Sequence, residues 1–127
     1  MAKILVADDE PDILKLVKYT LERHGYEIIP AENGKVAVEF AVQQLPDLII
    51  LDVMMPIMNG YDACSKIKEQ PETKNIPVIM LSAKTQQTEI SRGMQSGAEG
   101  YLRKPFTPKE LLAQVMEILE KGPQKEV

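Results

Sequence analysis

Five short runs rich in Ile, Leu and Val alternate along this chain with stretches of helical period, and few folds accommodate that rhythm. The runs are Lys3-Ile4-Leu5-Val6-Ala7, Glu27-Ile28-Ile29-Pro30, Asp47-Leu48-Ile49-Ile50-Leu51, Pro77-Val78-Ile79-Met80-Leu81 and Gly100-Tyr101-Leu102, and each reads as a strand. The first, third and fourth are almost wholly apolar, as strands are when helices cover both faces of a parallel sheet. Five repeats of strand then helix specify an α/β domain, a doubly wound five-stranded parallel sheet with right-handed crossovers. Ligands bind such sheets at the carboxyl ends of the strands.

The intervening segments carry helix signals. Ile13, Val17 and Leu21 recur every four residues, with Pro11 suited to the first turn and Gly25 past the end. Asn33 can cap a second helix that shows Val36, Ala37, Phe40 and Ala41 on one face, and Asn59 a third that shows Ala63 and Ile67. A fourth helix is expected near residues 86–95, on a thin stripe of Ile90 and Met94 with Gly93 inside. Thr107 and Glu110 form a capping box around Pro108 and open the last helix, whose apolar face is Leu111, Leu112, Val115, Met116 and Leu119. Residues 1–121 are expected to form one domain, and 122–127 a polar tail or the start of a linker.

Composition supports a self-sufficient core. Ile, Leu, Val and Phe make up 35 of 127 residues, well above the roughly 20% of disordered chains. The single cysteine, Cys64, excludes an internal disulfide and a Cys-rich zinc site, and is expected to pack as a small apolar residue. A net charge of −4 with no basic cluster argues against direct nucleic-acid binding. The apolar start of the chain runs into Asp8-Asp9-Glu10 and is too short for a signal or a membrane span, so a soluble, cytoplasmic protein is expected.

The strand ends carry the chemistry. Strand one ends in Asp8-Asp9-Glu10, strand three in Asp52, strand four in Ser82-Ala83-Lys84 and strand five in Arg103-Lys104-Pro105. If strands one and three are neighbours, Asp8, Asp9 and Asp52 converge, and like charges that close need a positive partner. Carboxylates, a carbonyl and waters form the oxygen set that Mg²⁺ prefers. Acids before a helix also complement its dipole, and that is the expectation for Glu10 and Asp12. Asp52 is different, because it ends an apolar strand where a carboxylate is costly to bury without a partner. His24, at the end of the first helix, is expected to complement that helix's dipole rather than carry phosphate. The seven methionines are expected to fill the core.

These residues resemble the receiver domain of bacterial two-component response regulators, chemotaxis-regulator-like, over nearly the whole chain from Lys3 to about Lys121. The matching pieces are Ile4-Leu5-Val6-Ala7-Asp8-Asp9-Glu10, the run from Asp47 through Leu51-Asp52-Val53-Met54-Met55-Pro56-Ile57-Met58-Asn59-Gly60, Pro77-Val78-Ile79-Met80-Leu81-Ser82-Ala83, and Gly97-Ala98-Glu99-Gly100-Tyr101-Leu102-Arg103-Lys104-Pro105-Phe106. The resemblance implies a flavodoxin-like fold with strand order 2-1-3-4-5. It implies transfer of a phosphoryl group from a sensor histidine kinase or phosphotransfer protein to Asp52, with Mg²⁺ as cofactor and Mn²⁺ as a substitute. It places Asp9, Asp52 and the Met54 carbonyl on the metal, with Asp8 acting through water. Lys104 and Ser82 would bind phosphoryl oxygens, Ala83 would leave the phosphoryl group space, and the Lys104-Pro105 bond would be cis. Ser82 and Tyr101 would form the switch that remodels the face built from residues 86–95, strand five and the last helix. Met54 and Lys84 would tune the lifetime of the signal. Such a domain catalyses its own phosphorylation and dephosphorylation and is not a turnover enzyme. Its output would be an unknown downstream protein or a fused effector, as a monomer or a phosphorylation-dependent dimer, without membrane contact.

In the subfamily with winged-helix effectors, charged pairs hold the active dimer. Arg92, Glu99 and Lys109 could serve here, but Gly100 and Gln114 stand where that subfamily usually has charges. An FMN carrier of similar strand plan would need a phosphate loop after strand one, where this chain has three acids. A phosphohydrolase with an aspartyl nucleophile would need Asp-x-Asp, which occurs at neither Asp8 nor Asp52. The alternative that stays open is an unphosphorylated, receiver-like protein-binding module.

Overall fold

The computed structural model describes residues 2–83 and 97–121. Their order is β1 (Lys3–Ala7), α1 (Pro11–Glu22), β2 (Glu27–Ala31), α2 (Gly34–Gln44), β3 (Leu48–Asp52), α3 (Gly60–Glu69), β4 (Val78–Ser82), β5 (Gly100–Arg103) and α4 (Pro108–Lys121). The strands form one sheet in the order β2-β1-β3-β4-β5, and every pair is parallel. The fourth helix expected at residues 86–95 lies outside the described residues.

Alternation along each strand divides the core. Leu5, Ile49, Leu51, Val78 and Met80 point to one face, where Ala37, Ala41, Ala63, Cys64 and Ile67 of α2 and α3 cover them. Ile4, Val6, Leu48, Ile50, Ile79 and Leu81 point to the other, where Val17 and Leu21 of α1 and Leu111, Val115 and Ile118 of α4 close over them. The three continuous apolar strands are β1, β3 and β4, which occupy the three interior places in the sheet. Pro30, which has no N–H to offer a further strand, sits on the edge strand β2.

The caps follow the expected residues. Asn33 accepts from the Val36 N–H and Asn59 from the Asp62 N–H, each at 2.9 Å. The Thr107 and Glu110 box closes reciprocally at 3.1 and 3.0 Å. His24 Nδ1 lies 2.9 Å from the Thr20 carbonyl, at the C-terminal end of α1. Glu10 stands at the N-cap of α1 but its side chain makes no capping bond.

Four strands end one residue later than the sequence reading, β2 at Ala31, β3 at Asp52, β4 at Ser82 and β5 at Arg103. Asp52 pairs with Leu81 and Ser82 with Arg103, so both polar residues belong to the ladder. Among the described residues, no helix is long and apolar enough to cross a membrane.

Candidate functional site

Backbone hydrogen bonds hold the carboxyl edge together before any side chain is considered. The Asp8 N–H donates to the Ala31 carbonyl at 3.1 Å, extending β1 toward β2. The Lys104 N–H donates to the Ser82 carbonyl at 2.7 Å, bringing the chain after β5 back to the end of β4. Gly60, the first residue of α3, donates to the Val53 carbonyl at 2.9 Å. A Cβ there would collide with the Asp52 carbonyl, so α3 can approach this closely only through glycine.

The side chains meet at the Lys104 ammonium. Its Nζ lies 3.0 Å from Asp8 Oδ2, 3.1 Å from Glu10 Oε1 and 3.4 Å from Asp52 Oδ2. Asp8 and Asp52 are buried, as is Ser82. The Glu10 N–H donates to Asp8 Oδ1 at 2.9 Å, so Asp8 is held through both oxygens. The Lys104-Pro105 peptide bond is cis.

Asp52 is both buried and set beside an excess of negative charge, three carboxylates around one ammonium. Burial pushes its carboxyl up from 3.8 to about 6, and the Asp8 charge adds to the rise. The Lys104 charge and hydrogen bond, with a hydrogen bond from the Met54 backbone, oppose it. For Lys104, burial alone pulls the ammonium down, yet its bond to Asp8 and the charges of Asp52 and Asp8 outweigh burial and hold it above the ordinary lysine value.

Oxygens of Asp8, Glu10 and Asp52 all lie within 4.8 Å of one another. The two buried members, Asp8 and Asp52, offer an all-oxygen set with excess negative charge that suits a hard divalent cation, so the residues present fit one, while exposed Glu10 is engaged by Lys104. Asp9 is exposed and lies outside that group of three. It opens with Asp8 onto a cleft of about 340 Å³, walled by Pro11, Leu14, Pro30 and Glu32.

The other expected residues are placed as follows. Tyr101 is partly buried in β5, opposite Met80, and packs on the core beneath α2 and α3. The Met54 side chain is exposed just beyond Asp52. Lys84 and Arg92 lie outside the described residues. Glu99, expected among charges available to a dimer, is engaged within its own chain. Lys68 Nζ contacts both its oxygens at 3.0 and 2.8 Å, and the Val78 N–H donates to it at 2.7 Å.

Sequence reasoning missed two features. Glu10 belongs to the Lys104 cluster rather than serving only the helix dipole; the contact spans 94 positions, which no local pattern reveals. The Lys68–Glu99 pair spans 31 positions and is equally silent.

The comparisons with known proteins point one way. The family model of the response regulator receiver domain matches residues 4–116. The chain is 42% identical over 120 residues to the alkaline phosphatase synthesis transcriptional regulatory protein PhoP of Bacillus subtilis, covering 94% of this chain and 49% of that protein. It thus spans about half that relative's length. It is 38% identical over 119 residues to the protein PilH of Pseudomonas aeruginosa, covering 94% of this chain and 98% of that one. Among solved structures, the chemotaxis response regulator CheY4 of Vibrio cholerae superposes with a TM-score of 0.89 at 36% identity, covering 93% of this chain and 98% of that one.

Proposed function

The chain belongs to the response regulator receiver domain family and has its phosphoryl-accepting role in two-component signalling, and from that premise we propose that Asp52 is the phosphoacceptor. The observation that carries this reading is a buried carboxylate ending a central strand, 3.4 Å from a lysine ammonium. The donor would be a phosphohistidine of a sensor kinase or phosphotransfer protein. An Asp52 oxygen forms the new bond to phosphorus, the phosphorus–nitrogen bond breaks, and the departing imidazole takes a proton from solvent.

Each neighbour has a defined task. Burial holds the Asp52 carboxyl above an ordinary aspartate, at about 6, which still leaves it ionised at neutral pH to attack phosphorus. Lys104 supplies a point charge for one phosphoryl oxygen and the Ser82 hydroxyl a hydrogen bond for another. Asp8, Asp9, Asp52 and the Met54 carbonyl hold the divalent cation, Mg²⁺ or in its place Mn²⁺. When bound, the cation offsets charge that builds on the transferring group. Transfer is self-catalysed and single, so the domain is not a turnover enzyme.

Signalling is then a shift between two states, biased by phosphoryl oxygens that only one of them satisfies. Ser82 moves toward the phosphoryl group, and Tyr101 turns inward and alters the face of β5 and α4. Met54 and Lys84 set the rate at which water removes the group. The output is a downstream protein or an effector fused beyond residue 121, in the cytoplasm, with the receiver as a monomer or a phosphorylation-dependent dimer.

Incubation with acetyl phosphate, with and without Mg²⁺, tests this by intact mass and native size beside Asp52→Asn. A Mg²⁺-dependent gain of one phosphoryl group in the wild type alone is the expected result. No gain under conditions that phosphorylate a control receiver would leave an unphosphorylated protein-binding module.

A further inference from the structure

We infer that Glu10 is a placeholder on Lys104, occupying the position on the ammonium that a phosphoryl oxygen takes once Asp52 is modified; this rests on the phosphoacceptor reading above. An ammonium has three donors and no acceptor. Here three carboxylates surround it, from Asp8, Glu10 and Asp52 at 3.0, 3.1 and 3.4 Å. A phosphoryl group that is to take more than one donor of Lys104 competes with these carboxylates.

The surroundings decide which one yields. Modification removes the Asp52 charge and frees the ammonium on that side, at 3.4 Å, for one phosphoryl oxygen. The doubly charged group competes with the remaining carboxylates for a further donor. The Asp8 side chain is fully buried, and its second oxygen is pinned by the Glu10 N–H at 2.9 Å. The Glu10 side chain is 61% exposed, so it returns to water at little cost. Its position is also telling. Glu10 is the N-cap residue of α1, its side chain is too long to be an ordinary cap, and it makes no capping bond. It reaches across to Lys104 instead, while its own N–H fixes Asp8. One residue therefore both fixes the carboxylate that stays and supplies the carboxylate that leaves. Glu10 thus acts through Lys104, as a positioning residue for phosphoryl transfer.

Two variants separate this from simple charge repulsion. Glu10→Gln removes the charge, whereas Glu10→Asp keeps it on a stem too short to reach Lys104. Phosphorylation by acetyl phosphate in Mg²⁺ should rise about threefold in both, the scale of an exposed ion pair. Mg²⁺ affinity, from an NMR titration, should stay within about twofold of the wild type in Glu10→Gln, because exposed charges interact weakly in water. The Glu10 carboxyl carbon of the wild type should move to its solvent-exposed shift when beryllofluoride is added. Glu10→Asp as slow as the wild type would overturn the placeholder and leave repulsion as the cause. A tenfold loss of Mg²⁺ affinity in Glu10→Gln would overturn it by making Glu10 a ligand. A wild type that neither gains a phosphoryl group nor binds beryllofluoride would instead overturn the Asp52 assignment, and the placeholder with it.

Discussion

Two lysines in this domain sit in similar shelter and do opposite work. Lys68 and Glu99 are 16% and 18% exposed and pair at 2.8 Å. Lys68 also donates to the Ile76 and Lys74 carbonyls at 2.8 and 3.3 Å, and Glu99 accepts from the Val78 N–H. One charge meets one charge, and both are surrounded by backbone partners. Lys104, 12% exposed, meets three carboxylates, and burial together with the Asp8 charge pushes Asp52 up to about 6. The balanced pair ties the segment before β4 to the segment before β5. The unbalanced cluster holds charge in reserve for a ligand.

The largest test of that contrast breaks the balanced pair. Lys68→Met leaves Glu99 sheltered without its cation, which should cost about 2–3 kcal/mol, less than a fully buried pair because both groups touch water. Adding Glu99→Gln, which can still accept from Val78, should recover part of the loss. Urea unfolding of the single and double variants measures both. A single variant as stable as the wild type would mean that the pair contributes nothing.

At the unbalanced cluster the sign reverses. The Asp52 carboxyl titrates near 6 when folded and near 3.8 when not. The folded chain therefore binds more protons across that window, and this group's contribution to stability falls as pH rises through it. Asp52→Asn should gain about 2 kcal/mol at pH 7, and the gain should vanish as pH falls from 6 to 4. A loss of stability at pH 7 would show that Lys104 needs Asp52 more than burial opposes it. Divalent cation should act alike: at about five times its Kd, Mg²⁺ should add about 1 kcal/mol to the wild type. Asp52→Asn should gain much less. Equal stabilisation of the two proteins would remove Asp52 from the cation site.

The same contrast explains what the sequence revealed. Asp8, Asp52, Ser82 and Lys104 announce themselves because each interrupts or follows an apolar run, and parallel strands bring such ends to one edge. Strand order needed the family resemblance, since hydrophobic pattern does not say which strands are neighbours. Glu10 was legible as an acid before a helix but not as a partner of Lys104, because the contact depends on how the β5–α4 connection folds back. Glu99 was misleading for the same reason. Its charge looks available in sequence, and only the tertiary structure brings Lys68 to it.

Backbone conformation repeats the pattern with the smallest expected effect. Beside Lys68, the left-handed residue is Gly97 at φ 98, which pays no steric penalty there. Beyond Asp52, the left-handed residue is Ile57 at φ 72, β-branched and 76% exposed. A side chain in that region costs about 1–2 kcal/mol, and exposure leaves Ile57 little packing to offset it. Ile57→Gly should therefore raise stability by about 0.5 kcal/mol, since the relief exceeds the roughly 0.5–1 kcal/mol of added chain entropy in the unfolded state. Gly97→Ala should lower it by about 1 kcal/mol, with its Cβ also pressed to 3.0 Å from Lys68 Cγ. Thermal unfolding of the two variants decides the matter. Opposite signs would place strain at the phosphoacceptor edge and relief at the structural pair, whereas a loss in Ile57→Gly would show that the exposed isoleucine stabilises the β3–α3 loop through its side chain.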